Sequence, residues 1–179
     1  MGADLYVDKV FKQDPRIDVV GKKLDQVREN MRNLPDDIPD DVTKRYERRE
    51  KALLDAHSRI CDKMYCVDGG YFRDSYNSSN LLWVLGLNYW QWLGGFVDGK
   101  GFLHPQHTRI ILKKIESRPV TETRLKRHLK NRKIELGKNN KPADEEFKEW
   151  LDYFVEKRER LIRFLKIAIE ADSPILCSI

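Results

Sequence analysis

Residues 67–93 read VDGGYFRDSYNSSNLLWVLGLNYWQWL, and the rest of the chain arranges itself around them. The first part, Val67 to Asn77, joins a Gly69-Gly70 pair to a run of polar and phenolic residues, the composition of a loop. The second part is apolar on nearly every side: Leu81, Leu82, Trp83, Val84, Leu85, Leu87, Tyr89, Trp90 and Trp92. Asn77 or Ser78 supplies a capping side chain, so a helix is predicted from about Ser79 to Leu93. A helix with no polar face is buried by its neighbours. It is therefore read as the central element of a mainly α fold.

Upstream, Asp14-Pro15 has the form of a helix start, with Asp as N-cap and Pro at the first helical position. Ile17, Val20, Leu24, Val27 and Met31 follow at helical spacing. After a linker at residues 33–41, with two prolines, Val42, Tyr46, Leu53, His57, Ile60, Cys61 and Met64 form a second stripe. Two such helices with a short connection pack as an antiparallel hairpin. Downstream, Gly94 to Gly101 is a turn, and Pro105 opens a helix carrying Ile110, Ile111, Leu112 and Ile115. Arg118-Pro119 ends that helix, because the residue before proline avoids the helical region. Thr121 caps a short basic helix to about Leu136. A final helix from Pro142 to about Ala171 carries Phe147, Trp150, Leu151, Phe154, Leu161, Leu165, Ala168 and Ile169. Residues 3–11 and 174–179 have the pattern of short strands, a two-stranded sheet joining the termini. The expectation is one helical domain over residues 1–179, with about six helices in an orthogonal or bundle-like arrangement.

The 179 residues are enough to bury a core without disulfides or a structural metal. The richest apolar run, Leu81 to Phe96, is interrupted by Gly86, Asn88, Gln91 and Gly94-Gly95, too polar for the roughly 20 apolar residues of a membrane span. Three cysteines and no basic-then-apolar opening point to a reducing, cytoplasmic setting. Residues 109–142 hold twelve Lys or Arg against three Glu, a surplus of +9 where the whole chain carries +5. The remainder is therefore net acidic by 4, and the basic character is local.

Two segments carry candidate chemistry. In Arg118, Arg124, Lys126, Arg127, Lys130, Arg132, Lys133, Lys138 and Lys141, cations crowd a short helix and its exit loop. Such a patch neutralises phosphates, or an acidic protein face, and His128 lies among them. The segment has no aromatic residue, so it offers no stacking platform of its own for bases. The other segment is the loop of Tyr71, Arg73, Asp74, Tyr76 and Asn77 beside the Trp-rich helix. There Arg73 can fork onto an anion and Asp74 can orient it or act as a base. The competing reading is a self-bracing loop, with Asp74 and Asn77 capping backbone N–H groups and the phenols packed on the helix.

Other patterns lead to weaker chemistry. His57, Cys61 and Cys66 have no CxxC or HExxH partner motif, and His57 and Cys61 lie on an apolar stripe, so no metal is expected. Asp98-Gly-Lys-Gly-Phe-Leu puts Lys and Phe where a calcium loop needs oxygen ligands. No phosphate-binding loop, nucleotide fingerprint or nucleophile–base pair is present, and no cofactor is expected.

The opening MGADLY (residues 1–6), the block GYFRDSYN (70–77) with Leu82-Trp83, Gly86-Leu87 and Trp90, and the ending CSI (177–179) resemble a group of uncharacterised bacterial and phage proteins. That resemblance implies a bacterial or phage setting and no mechanism. The residues lead to a non-catalytic interaction protein that uses the basic surface of about 118–141 against nucleic acid or an acidic protein. The alternative is a small enzyme or ligand binder centred on Arg73 and Asp74.

Overall fold

The computed structural model describes residues 2–35, 38–75, 77, 79–88, 93–137 and 141–178. The chain divides into two compact units, residues 12–66 and residues 1–11 with 67–179.

The unit of residues 12–66 is a helical hairpin. Helix α1 spans Arg16–Arg32 and α2 spans Asp40–Met64. The Asp14 carboxylate accepts the Arg16 N–H at 2.9 Å, so it tends the first turn although the helix begins two residues later. The Asp14 N–H points at Met64 Sδ, 3.2 Å away, and Arg28 pairs with Glu50 at 2.7 Å. The start of α1 thus lies by the end of α2, the antiparallel pairing that their stripes require. Leu24, Val27 and Met64 are buried, and the remaining stripe residues are half-buried.

The other unit is built on a sheet of four antiparallel strands where two were expected. Strand β1 (Gly2–Val7) pairs with β2 (Tyr71–Ser75) on one side and β4 (Ile175–Ser178) on the other. The two-residue β3 (Phe102–Leu103) completes the order β2-β1-β4-β3. The terminal strands do pair, Leu5 opposite Cys177. The correction is β2, which sequence reading made a loop. Its residues alternate, with Phe72 and Asp74 inward and Arg73 outward. The alternation is hard to recognise because one inward position is a carboxylate, which is costly to bury without a partner.

The central helix is also shorter than expected. Helix α3 covers only Leu81–Val84, capped by the Asn80 side chain, which accepts the Trp83 N–H at 3.0 Å. It ends at Gly86, whose φ of +69° places it in the left-handed region. The Leu87 N–H reaches back to the Leu82 carbonyl at 2.7 Å, the closure that a glycine just past a helix end permits. Tyr89, Trp90 and Trp92 lie outside the described residues. Burial is as expected for the part described: Leu81, Leu82, Val84 and Leu85 are all buried.

Three further helices complete this unit: α4 (Pro105–Glu116), α5 (Glu122–Asn131) and α6 (Ala143–Glu170). Among the described residues the chain thus has six helices. Leu5, Leu103 and Ile175 from the sheet meet Leu82, Ile111, Ile115, Leu161 and Leu165 around one small apolar void. Phe72 and Phe164 pack ring to ring at 5.9 Å. Each such side chain stabilises the fold by about 1.5–3 kcal/mol on burial. No described helix is long and apolar enough to cross a membrane.

Candidate anion-binding cleft

Helix α5 owes its position to two apolar residues, Leu125 and Leu129, both buried. Thr121 fixes its start by accepting the Arg124 N–H at 3.3 Å. With that face pinned inward, helical geometry sorts the charged residues. Arg124, Arg127, His128 and Asn131 recur at spacings of 3, 1 and 3 and fall on one side. Lys126 and Lys130 fall elsewhere on the helix.

The sorted side faces α3. Together they line a cleft of about 430 Å³ whose polar walls are Arg118, Arg124, Arg127, His128, Asn131 and Arg132. Its other wall is Trp83 with the backbone turn through Gly86. Among the described residues no Asp or Glu lines it. Four guanidinium groups therefore share one concavity, with no carboxylate among the described residues that line it.

Two of the four are held in place. Arg118 Nη1 donates to the Leu85 and Gly86 carbonyls at 3.1 and 3.3 Å, and Arg124 Nη1 donates to the Pro119 carbonyl at 2.7 Å. Carbonyl partners position a guanidinium without cancelling its charge, and its remaining N–H groups stay available. Arg158 acts one layer further back. It donates to the Ile115, Glu116 and Arg118 carbonyls at 3.0 to 3.1 Å, a cation at the negative end of α4 that also fixes the Arg118 backbone. Arg132 lies over the Trp83 ring at 4.0 Å from its centre, a cation–π stack. His128 is buried and meets Phe154 edge to face at 6.0 Å.

The predicted basic residues thus separate by type. The arginines Arg118, Arg124, Arg127 and Arg132 converge. The lysines stand apart: Lys126 pairs with Glu122 at 3.2 Å and lies over Phe147, and Lys141 pairs with Glu149. Lys130 and Lys133 are exposed outside the cleft lining, and Lys138 is outside the described residues. Trp83 was missed as a member of this site, because it is far from the basic segment in sequence and was assigned to the core. Its half-buried ring among buried neighbours is a property of the folded chain alone.

The second candidate segment lies at a different place in the same unit. Asp74 is buried and saturated: it accepts from Lys157 Nζ at 2.6 Å, the Leu81 N–H at 3.0 Å and the Ser75 N–H at 2.8 Å. Lys157, also buried, gives its other hydrogens to the Ser79 carbonyl at 2.8 Å and the Tyr153 hydroxyl at 3.0 Å. Asn77 accepts from the Ser79 N–H at 3.1 Å and from the Ser75 hydroxyl. Tyr71 donates to Asp4 at 2.5 Å, and burial followed by that carboxylate raises its hydroxyl above the ordinary value. Arg73 leans toward the same Asp4, 3.6 Å away, with its side chain mostly exposed. Tyr76 is outside the described residues. A cleft of about 380 Å³ adjoins this segment, lined by Arg73, Asp74, Ser75, Asn77, Tyr153, Lys157 and Arg160. Sequence reading missed Lys157, although a signal existed: with spacings of 3 and 4 it lies on the buried line from Phe154 to Leu161, where a lysine calls for a buried anion.

Comparison with protein-family models, with curated proteins and with solved structures finds no match to this chain.

Proposed function

We propose that this chain is an interaction protein that holds an anionic partner, a nucleic acid or an acidic protein face, in the arginine cleft between α3 and α5. The observation that carries the reading is the convergence of Arg118, Arg124, Arg127 and Arg132 on one concavity without a lining carboxylate among the described residues. Like charges gathered in a cleft repel, and an anion relieves them. Guanidinium forks bind phosphate and carboxylate through two parallel bonds, which lysine cannot do.

The test is a salt titration of the purified chain against labelled nucleic-acid fragments and an acidic peptide, read by anisotropy. Engagement of two to four anionic groups gives a log–log salt slope of about −1.5 to −3.5. Absence of binding to every polyanion at low salt would sink the reading.

A second reading has one observation in its favour, the cleft beside Arg73 and Arg160. With Asp74 and Lys157 committed to each other, the two exposed arginines remain to hold a small carboxylate or phosphate. Under this reading, Arg73→Ala with Arg160→Ala removes small-anion binding, measured by calorimetry with inorganic phosphate and a dicarboxylate. No heat from the wild-type chain would end it.

A further inference from the structure

Resting on the anion-binding reading above, we propose that the occupant of the arginine cleft is single-stranded nucleic acid, with an unstacked base lying against the Trp83–Arg132 pair and the flanking phosphates on Arg124 and Arg127.

Three features favour this occupant over the other anions. The first is the combination of surfaces. A cleft built only for carboxylates or phosphate needs cations, but this one sets a guanidinium over an indole, 4.0 Å from the ring centre. Planar guanidinium and aromatic faces are the surfaces on which extruded bases stack. The second is reach. Trp83 is half-buried at the side of a concavity, with Leu82 and Val84 buried on either side of it in the chain. A duplex keeps its bases inside the stack and presents a phosphate-coated convex rod, whereas a single strand can turn a base into the recess. The third is spacing along α5. Arg124 and Arg127 stand just under one turn apart, about 4.5 Å along the helix axis. On one side of the helix and in one cleft, the two guanidiniums can meet neighbouring phosphates of a strand that crosses it. Asn131, one turn beyond Arg127 on the same side, adds an amide that can donate and accept at a base edge.

An acidic protein face accounts for the arginines and leaves the indole–guanidinium stack without a role. It is the competing outcome of the test below.

The experiment compares a fluorescent oligothymidylate with an abasic strand of equal phosphate count, the matching duplex and an oligoglutamate, all at one low salt concentration. Stacking of one base makes the oligothymidylate bind roughly five- to 150-fold tighter than the abasic strand. Trp83→Ala brings it down to the abasic level, and Trp83→Tyr restores most of the difference. Arg132→Gln, at an exposed position, gives the same loss without touching the core. Equal binding of the two strands by the wild-type chain overturns the proposal and leaves the anion-binding reading intact, as does tighter binding of oligoglutamate or duplex. Failure to bind any of the four overturns both.

Discussion

Lys157 Nζ on α6 lies 2.6 Å from the Asp74 carboxylate on β2, and both side chains are almost completely shielded from water. This pair locks the edge strand of the sheet to the longest helix. It also sets α3, because Asp74 accepts the Leu81 N–H with both oxygens, at 3.0 and 3.1 Å. The polar block that begins α3 is therefore a three-way joint between strand, short helix and long helix.

Cutting one side of that joint strands a charge in the interior. Asp74→Ala and Lys157→Ala each destabilise the fold by about 3–5 kcal/mol, the usual cost of a buried ion left without its partner. Replacing both by hydrophobic residues of similar volume recovers much of the loss. Chemical denaturation of the two single variants and the double variant checks this through the coupling energy. Additive effects would show that the two groups do not depend on each other.

The division of arginine from lysine on α5 has a direct consequence for binding. Arg127→Glu with Arg132→Glu lowers polyanion affinity by at least about tenfold at low salt and flattens the salt slope by about one per lost phosphate contact. Lys126→Glu with Lys130→Glu changes net charge equally and has a smaller effect, since those residues lie outside the cleft lining. Anisotropy at two salt concentrations separates the cases. Equal losses from the two pairs would mean that the whole basic segment acts as a diffuse charge.

The three free cysteines differ in accessibility. Burial pushes the Cys177 thiol up to about 12, so near neutral pH it carries almost no thiolate. Cys61 and Cys66 are partly exposed. Brief alkylation of the native chain adds two groups by mass spectrometry, and a third only after unfolding. A rapid third adduct would show that β4 opens readily.

Asp98 sets the turn before β3. Its carboxylate accepts the Phe102 N–H at 2.9 Å and the Lys100 N–H at 2.8 Å, and meets His104 Nε2 at 2.9 Å. These contacts, the Phe102 bond first, lower its pKa from 3.8 to about 2. A folded-state pKa below the unfolded value means that the stabilisation is complete above about 3.8 and is lost as pH falls through about 2. The Phe102 amide resonance follows that transition in an NMR titration. A midpoint at the ordinary carboxylate value would remove Asp98 from this role.

What the sequence by itself determined is the helical framework. The stripes of α1, α2, α4 and α6, the Thr121 cap and the prolines that open and end α4 are local signals, because helical periodicity and capping involve residues a few positions apart. The local basic surplus of residues 109–142 was legible for the same reason. Tertiary structure alone decided the rest. Strand β2 is a strand because β1 pairs with it and because Lys157, distant in sequence, neutralises the inward Asp74. Helix α3 stops where Gly86 turns left-handed. Trp83 joins Arg132 because α3 and α5 pack together. A buried charge, a sheet edge and a cleft are each made by residues far apart along the chain, and no local period records which of them will meet.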